Sequence, residues 1–244
     1  IFDDEALRNA LAPIFRTKVR RTEWQLVFDN GDRVELALDV GELVVGEKRE
    51  PISEIELELK DGNTGRLFDF ALELQQSIPL ELENASKAQR GYAYYRPQPP
   101  TIVKAHSPRL QRDMSAHAAL KQIAWECLTH LQGNQEMVLH GEDEEGVHQM
   151  RVALRRLRSA LNVFRSVVSK QSCAGIIEEL RWITGVLGLA RDLDVFATQT
   201  LPPMLQQLHA HPGLIQLNER ANQTRLQTYV KVRAALASQR YHRL

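Results

Sequence analysis

Three glutamates stand at every second position, Glu54, Glu56 and Glu58, alternating with Ile55, Leu57 and Leu59. In an extended strand that spacing puts the carboxylates on one face, ~6.6 to 7 Å apart, close enough for two or three to share a divalent cation where the face is enclosed. An exposed sheet face produces the same alternation, so the spacing alone leaves both readings open. A second set lies between Gly146 and Lys170. At about 100° per helical residue, His148, Arg151, Arg155, Arg158, Asn162 and Arg165 fall in one stripe. Guanidinium groups at steps of three and four sit ~5 to 6 Å apart and repel unless counter-charge is supplied. Successive phosphates of a polyanion supply it in bidentate form. The stripe contains no lysine, and no acid occurs between Gly146 and Ile177, which favours an anion site over a solvated basic face.

The segment Glu178 to Ala190 carries Arg181, Thr184, Gly185 and Gly188 along one helical side, with Asp192 following. Two glycines inside a helix cost about 1 kcal/mol each, so something is expected to approach that backbone closely, with helix packing the plainer cause. Arg181 and Arg191 are placed to join the basic stripe. Asp192 and Asp194 are expected to cap a helix or orient arginines rather than bind metal. The histidines show no paired metal-ligand spacing, and Cys127 and Cys173 read as small buried apolar residues.

The elements that must position these groups differ between the two parts of the chain. Glu23, Gln25 and Val27 alternate with Trp24, Leu26 and Phe28, then Arg33 to Asp39 alternates with Val34, Leu36 and Leu38. Asp29-Asn30-Gly31-Asp32 between them predicts an antiparallel hairpin. A third short strand is expected after Gly41, a further strand over Ser53 to Lys60, and a helix over Thr64 to Gln76 with Thr64 as N-cap. Four prolines (Pro97, Pro99, Pro100 and Pro108) mark a linker. Beyond it, helical patterns fill Leu110 to Leu139, Glu144 to Val168, Ile176 to Leu189 and most of Leu214 onward. Breaks are expected at Gly141, Gly175, Pro202-Pro203 and Pro212-Gly213.

The 244 residues carry 31 basic and 31 acidic side chains. Counted from the sequence, residues 1–105 hold 19 acids against 14 bases, and the remainder 12 against 17, so the parts have opposite net charge. No apolar run approaches the ~18 residues of a membrane span. Two cysteines supply neither a disulfide framework nor a thiolate zinc site, which suits a cytoplasmic setting. The chain starts at Ile1 and stops inside a helical pattern, so sequence is expected to be missing at both ends.

Two stretches carry a family resemblance. ALDVGELVVGEKREPISEIELELKDG, followed by SKAQRGY at 86–92, resembles the C-terminal half of a CYTH domain, the family of triphosphate tunnel metalloenzymes. VHQMRVALRRLRSAL at 147–161, with LRWITGVLGLARDLDVF at 180–196, resembles a CHAD domain, a conserved-histidine helical module often fused behind CYTH. The implied fold class is α+β: an antiparallel β-sheet forming part of a tunnel barrel, then an all-α helical bundle. The implied division is a partial CYTH domain over 1–96, a linker over 97–109 and the N-terminal half of a CHAD domain over 110–244.

The resemblance also implies roles. Arg21 in RRTEW and Lys87 would hold triphosphate. Asp39, Glu54 and Glu56 would hold Mg²⁺ or Mn²⁺, with Glu58 a further candidate. His148, Arg151, Arg155, Arg156, Arg158, Arg181 and Arg191 would bind inorganic polyphosphate, although Arg156 lies off the main stripe. The family's ExExK strand is absent, so the parent is expected to hydrolyse inorganic triphosphate and this fragment only to bind polyanions. Alternatives are a non-catalytic polyphosphate-binding module and an adenylate-cyclase-like activity. Nucleic acid is not an expected partner, because the arginines have no interleaved aromatics.

Overall fold

Period-two alternation becomes three long antiparallel strands in the order β1-β2-β3. They are β1 (Arg16–Val27), β2 (Arg33–Val45) and β3 (Lys48–Asp61). Gly31, at φ +88°, supplies the backbone that the first hairpin turn demands. The expected short strand after Gly41 is not separate, because β2 runs unbroken through that residue. Gly41 serves close approach instead: a Cβ there would overlap the Lys18 carbonyl oxygen across the sheet. Asp32 ties the turn to the end of β3, its carboxylate accepting from the Asn63 amide at 3.1 Å and the Asn30 side chain at 2.8 Å.

Among the described residues, two helices follow the sheet in this unit. In α1 (Thr64–Ser77) the N-cap is Asn63 rather than Thr64, its side chain accepting from the Gly65 amide. This helix packs against β3, with Phe70 edge-on to Phe28. In α2 (Lys87–Tyr95) Ser86 and Gln89 form a reciprocal capping box that starts the helix at Lys87. It packs against β1 and β2. The fit there is close, because a Cβ on Gly91 would meet the Phe15 ring at 2.5 Å.

The computed structural model describes residue 5 and residues 10–141, 143–168, 170–208 and 211–244. It divides into two compact units, 1–98 and 99–244. In the second, helices follow one another as α3 (Ala116–Gly133), α4 (Gln135–His140), α5 (Glu145–Val163) and α6 (Lys170–Val195). A π-helical turn over Phe196–Thr200 leads into α7 (Leu201–Gln207), then α8 (Pro212–Leu236) and α9 (Gln239–His242). Neither Gly175 nor Pro202-Pro203 breaks the chain as expected. Gly175 lies within α6, and both prolines sit in the first turn of α7, where a missing N–H costs nothing.

The core lies where α5 meets α3 and α6, and α6 meets α8. Met150, Leu154, Ile183, Leu187 and Leu236 are fully buried in it. Met150 and Leu154 are apolar positions on the side of α5 away from the arginines, so burying one stripe leaves the other outward. The proline-rich stretch forms no helix or strand. Its later part lies along the helical unit: Asn134 donates to the Val103 carbonyl at 2.8 Å and accepts from its amide at 3.1 Å.

Candidate functional site

Strand register brings the sheet residues together. Arg21 pairs with Asp39 across β1 and β2, and Asp39 pairs with Glu54 across β2 and β3, so the three occupy one cross-strand row. Glu56, two residues along β3, shares that face. Lys87 reaches the row from the first position of α2, and Arg90 follows it one turn later. At a helix N-terminus a lysine is disfavoured by the peptide dipoles, so its placement there is compensated by the carboxylates it meets.

Asp39 is the hub, with a side chain 0% exposed. Its two oxygens accept from Arg21 Nε at 2.7 Å and Nη2 at 2.6 Å, a bidentate pair. Arg21 Nη2 also donates to Glu56 at 2.6 Å. Lys87 Nζ lies 2.7 Å from Asp39 Oδ2 and 2.6 Å from Glu56 Oε1, and it also bonds Glu54. Arg90 donates to Glu54 at 3.0 Å and Glu50 at 2.9 Å. The bonds from Arg21, then Lys87, hold the Asp39 carboxyl well below the usual carboxylate range. Glu56 is lowered chiefly by Lys87. Burial works to lower the Lys87 pKa, but its three carboxylate partners together outweigh it and raise the ammonium above the ordinary lysine value.

All five sheet-unit candidates, Arg21, Asp39, Glu54, Glu56 and Lys87, thus converge on one cluster. Glu58 does not join it, bonding Lys60 instead at 3.0 Å. Arg90 was missed, although SKAQRGY places it one helical turn beyond Lys87. One oxygen from each of Asp39, Glu54 and Glu56 lies within 4.8 Å of the others. All-oxygen, anionic donors at that separation suit a hard divalent cation such as Mg²⁺ or Mn²⁺.

The helical unit presents a different kind of charge. A groove of about 850 Å³ between α5 and α6 is lined by Arg155, Arg158, Ser159, Asn162, Arg165 and Arg181, together with the apolar Leu161, Ala174 and Ile177. Arg165 lies beyond the end of α5, in the turn that follows Val163, yet still contributes. Among the described residues, none of these four arginines has an ion-pair partner. Arg151 lies over Gly188 of α6, where a Cβ would approach its Nη1 to 2.7 Å. His148 is half-buried on the same helix.

Two candidates are engaged elsewhere. Arg156 donates to the His106 carbonyl at 2.7 Å, and Arg191 sits 3.9 Å from Glu144. The fully buried Asp194 orients no groove arginine. It accepts from Arg225 Nε at 2.5 Å and the Tyr229 hydroxyl at 2.9 Å, anchoring α8 to the end of α6.

The two glycines of α6 give a paired prediction. Alanine at Gly185 meets open space, so it should stabilise the helical unit by the usual Gly-to-Ala gain, about 0.5–1 kcal/mol, and raise its melting temperature without altering anion binding. Gly188→Ala should leave stability near its starting value and displace the Arg151 guanidinium, weakening polyphosphate binding several-fold. Parallel melting and titration of the two variants check this, and equal binding would separate Arg151 from the groove.

The sheet unit thus holds a cross-strand carboxylate row interleaved with basic side chains, and the helical unit an arginine groove with no carboxylate partner among the described residues. The chain belongs to the CHAD domain family, whose pattern matches residues 122–244, and it carries a CYTH domain over residues 2–92. Over 84 residues it is 45% identical to an inorganic triphosphatase of Haemophilus influenzae, a match covering 34% of this chain and 24% of that protein. An uncharacterized protein of Mycobacterium tuberculosis is 36% identical over 106 residues, 41% of this chain and 20% of that one. The chain therefore spans about a quarter or less of the curated relatives it matches. The crystal structure of the CHAD domain from the plant Ricinus communis superposes with a TM-score of 0.52 at 34% identity, covering 59% of this chain and 47% of the other. Among the described residues no helix is long and apolar enough to cross a membrane.

Proposed function

We propose that the sheet unit supplies part of the metal- and phosphate-holding site of an inorganic triphosphatase, and that the helical unit holds inorganic polyphosphate. The observation that carries the first half is the Arg21-Asp39-Glu54 row with Lys87 set into it. Identity to the H. influenzae triphosphatase supports the substrate class. Asp39, Glu54 and Glu56 would hold Mg²⁺ or Mn²⁺, which supplies charge withdrawal from phosphoryl oxygens and an activated water when bound. Arg21 offers its Nη1 donors to phosphate oxygens and Lys87 adds a point charge, while Asp39 fixes the Arg21 guanidinium plane through two hydrogen bonds to Nε and Nη2. Arg90 aligns Glu54 and Glu50 from α2. The second half rests on the arginine groove, whose uncompensated charges need an anion with several phosphates in sequence. Two buried free thiols agree with a cytoplasmic setting.

Phosphate release from inorganic tripolyphosphate by the whole protein tests the first half. Turnover should require Mg²⁺ or Mn²⁺ and vanish with a chelator. The 244-residue chain alone, whose sheet has three strands among the described residues, should bind metal and polyanion without turnover, because catalysis needs ligands converging on an enclosed site. Rapid metal-dependent hydrolysis by the purified chain would overturn the assignment of a partial site.

A further inference from the structure

Lys87 occupies the place that a metal ion would claim. Its ammonium has three hydrogens, and it spends them on the three carboxylates that lie within 4.8 Å of one another, Asp39, Glu54 and Glu56. The other two basic groups differ. Arg21 rises from the sheet and grips Asp39 and Glu56 from one side, and Arg90 divides itself between Glu54 and Glu50. Of these three basic groups, Lys87 alone touches all three acids.

A divalent cation and an ammonium cannot share that space. Two like charges a few ångströms apart repel, and here the Lys87 and Asp39 side chains are only 18% and 0% exposed. Every carboxylate oxygen turned toward Nζ is also one withdrawn from a metal. Lysine is suited to leave, because its charge sits on a flexible four-carbon stem and a rotamer change moves Nζ without moving the helix. Arg21 can remain, bidentate on Asp39.

Resting on the metal reading above, we infer that Lys87 is an exchangeable counter-cation: metal entry displaces its ammonium from the carboxylate triad and frees it to contact the phosphate chain. In the metal-free protein Lys87 offsets part of the triad's charge and bridges its three carboxylates. Loading the site then creates the metal centre and releases a phosphate ligand in one event. Metal and anion binding become coupled through a single side chain, each favouring the other.

The test is Mn²⁺ affinity of the 244-residue chain by calorimetry without phosphate, comparing the unmodified protein with Lys87→Met. Removing a competing ligand of the site should tighten Mn²⁺ roughly tenfold or more. Propylammonium added to a Lys87→Ala variant should compete with Mn²⁺ and leave the unmodified protein unaffected. Weaker or unchanged Mn²⁺ affinity in a folded Lys87→Met protein, with the unmodified chain binding, overturns the exchange while leaving the metal reading intact. Absence of Mn²⁺ binding in both overturns the metal reading and the exchange together. A measurement on the unmodified chain covers a variant that fails to fold: the ¹⁵N-ammonium resonance of Lys87, sharpened by its three bonds, should be lost on adding Mg²⁺. Its persistence at saturating Mg²⁺ would equally overturn the exchange.

Discussion

Asp39→Asn is expected to abolish metal-dependent triphosphate hydrolysis in the whole protein and to destabilise the sheet unit by about 2 kcal/mol. The substitution keeps shape but removes the fully buried one of the two carboxylates, Asp39 and Glu56, that both Arg21 and Lys87 contact. Breaking a fully buried pair costs about 3–5 kcal/mol; Arg21 is 39% exposed, so solvent recovers part of that loss. Asn also turns an N–H₂ toward a donor where a carboxylate oxygen accepted. Acid should act in the same direction. The Asp39 and Glu56 carboxyls are held low in the folded state. Their contribution is therefore fully present above the unfolded carboxylate range, about pH 4, and is lost as pH falls through the folded values. Melting curves between pH 7 and pH 3 should fall less steeply for Asp39→Asn than for the unmodified protein. An unchanged slope, or normal turnover by the variant, would remove Asp39 from the centre of the site.

The second large effect lies in the helical unit. Replacing both Arg155 and Arg158 by alanine should weaken binding of long-chain polyphosphate roughly hundredfold, at about 1.5 kcal/mol for each charge-assisted contact. Stability should change little, since these side chains are exposed and have no ion-pair partner among the described residues. Removing them relieves repulsion along the groove. Affinity in the unmodified protein should fall with added salt, and the double variant should show a shallower dependence. Arg156→Ala provides the contrast, because its guanidinium already serves the His106 carbonyl: it should cost stability rather than affinity. Equal titration curves for Arg155/Arg158 and unmodified proteins would displace the site from this groove.

Much of this molecule follows from periodicity. Alternation of period two assigns Glu54, Glu56 and Glu58 to one sheet face, and a period of 3.6 assigns Arg151, Arg155 and Arg158 to one helix face opposite Leu154 and Leu157. The SKAQRGY and RVALRRLRSAL patterns carry the family, and the change from alternation to helical spacing marks two units of different class. These are local properties, set by which side of its own backbone each side chain leaves.

What periodicity leaves open is which residues face one another across elements. Register alone puts Arg21 opposite Asp39 and Asp39 opposite Glu54, and a capping box alone decides that α2 begins where Lys87 can enter the row. Glu58, equivalent to Glu56 by spacing, is taken by Lys60. Arg156 and Arg191, which match the motif, are directed to a backbone carbonyl and a glutamate, while Arg165 enters the groove from beyond the helix that spacing had assigned to it. The close approach expected at Gly185 and Gly188 occurs only at Gly188, and it comes from a guanidinium. Each outcome depends on pairing between segments distant in sequence, where burial, charge compensation and steric fit act together. Face is a property of the strand or helix; partnership is a property of the fold.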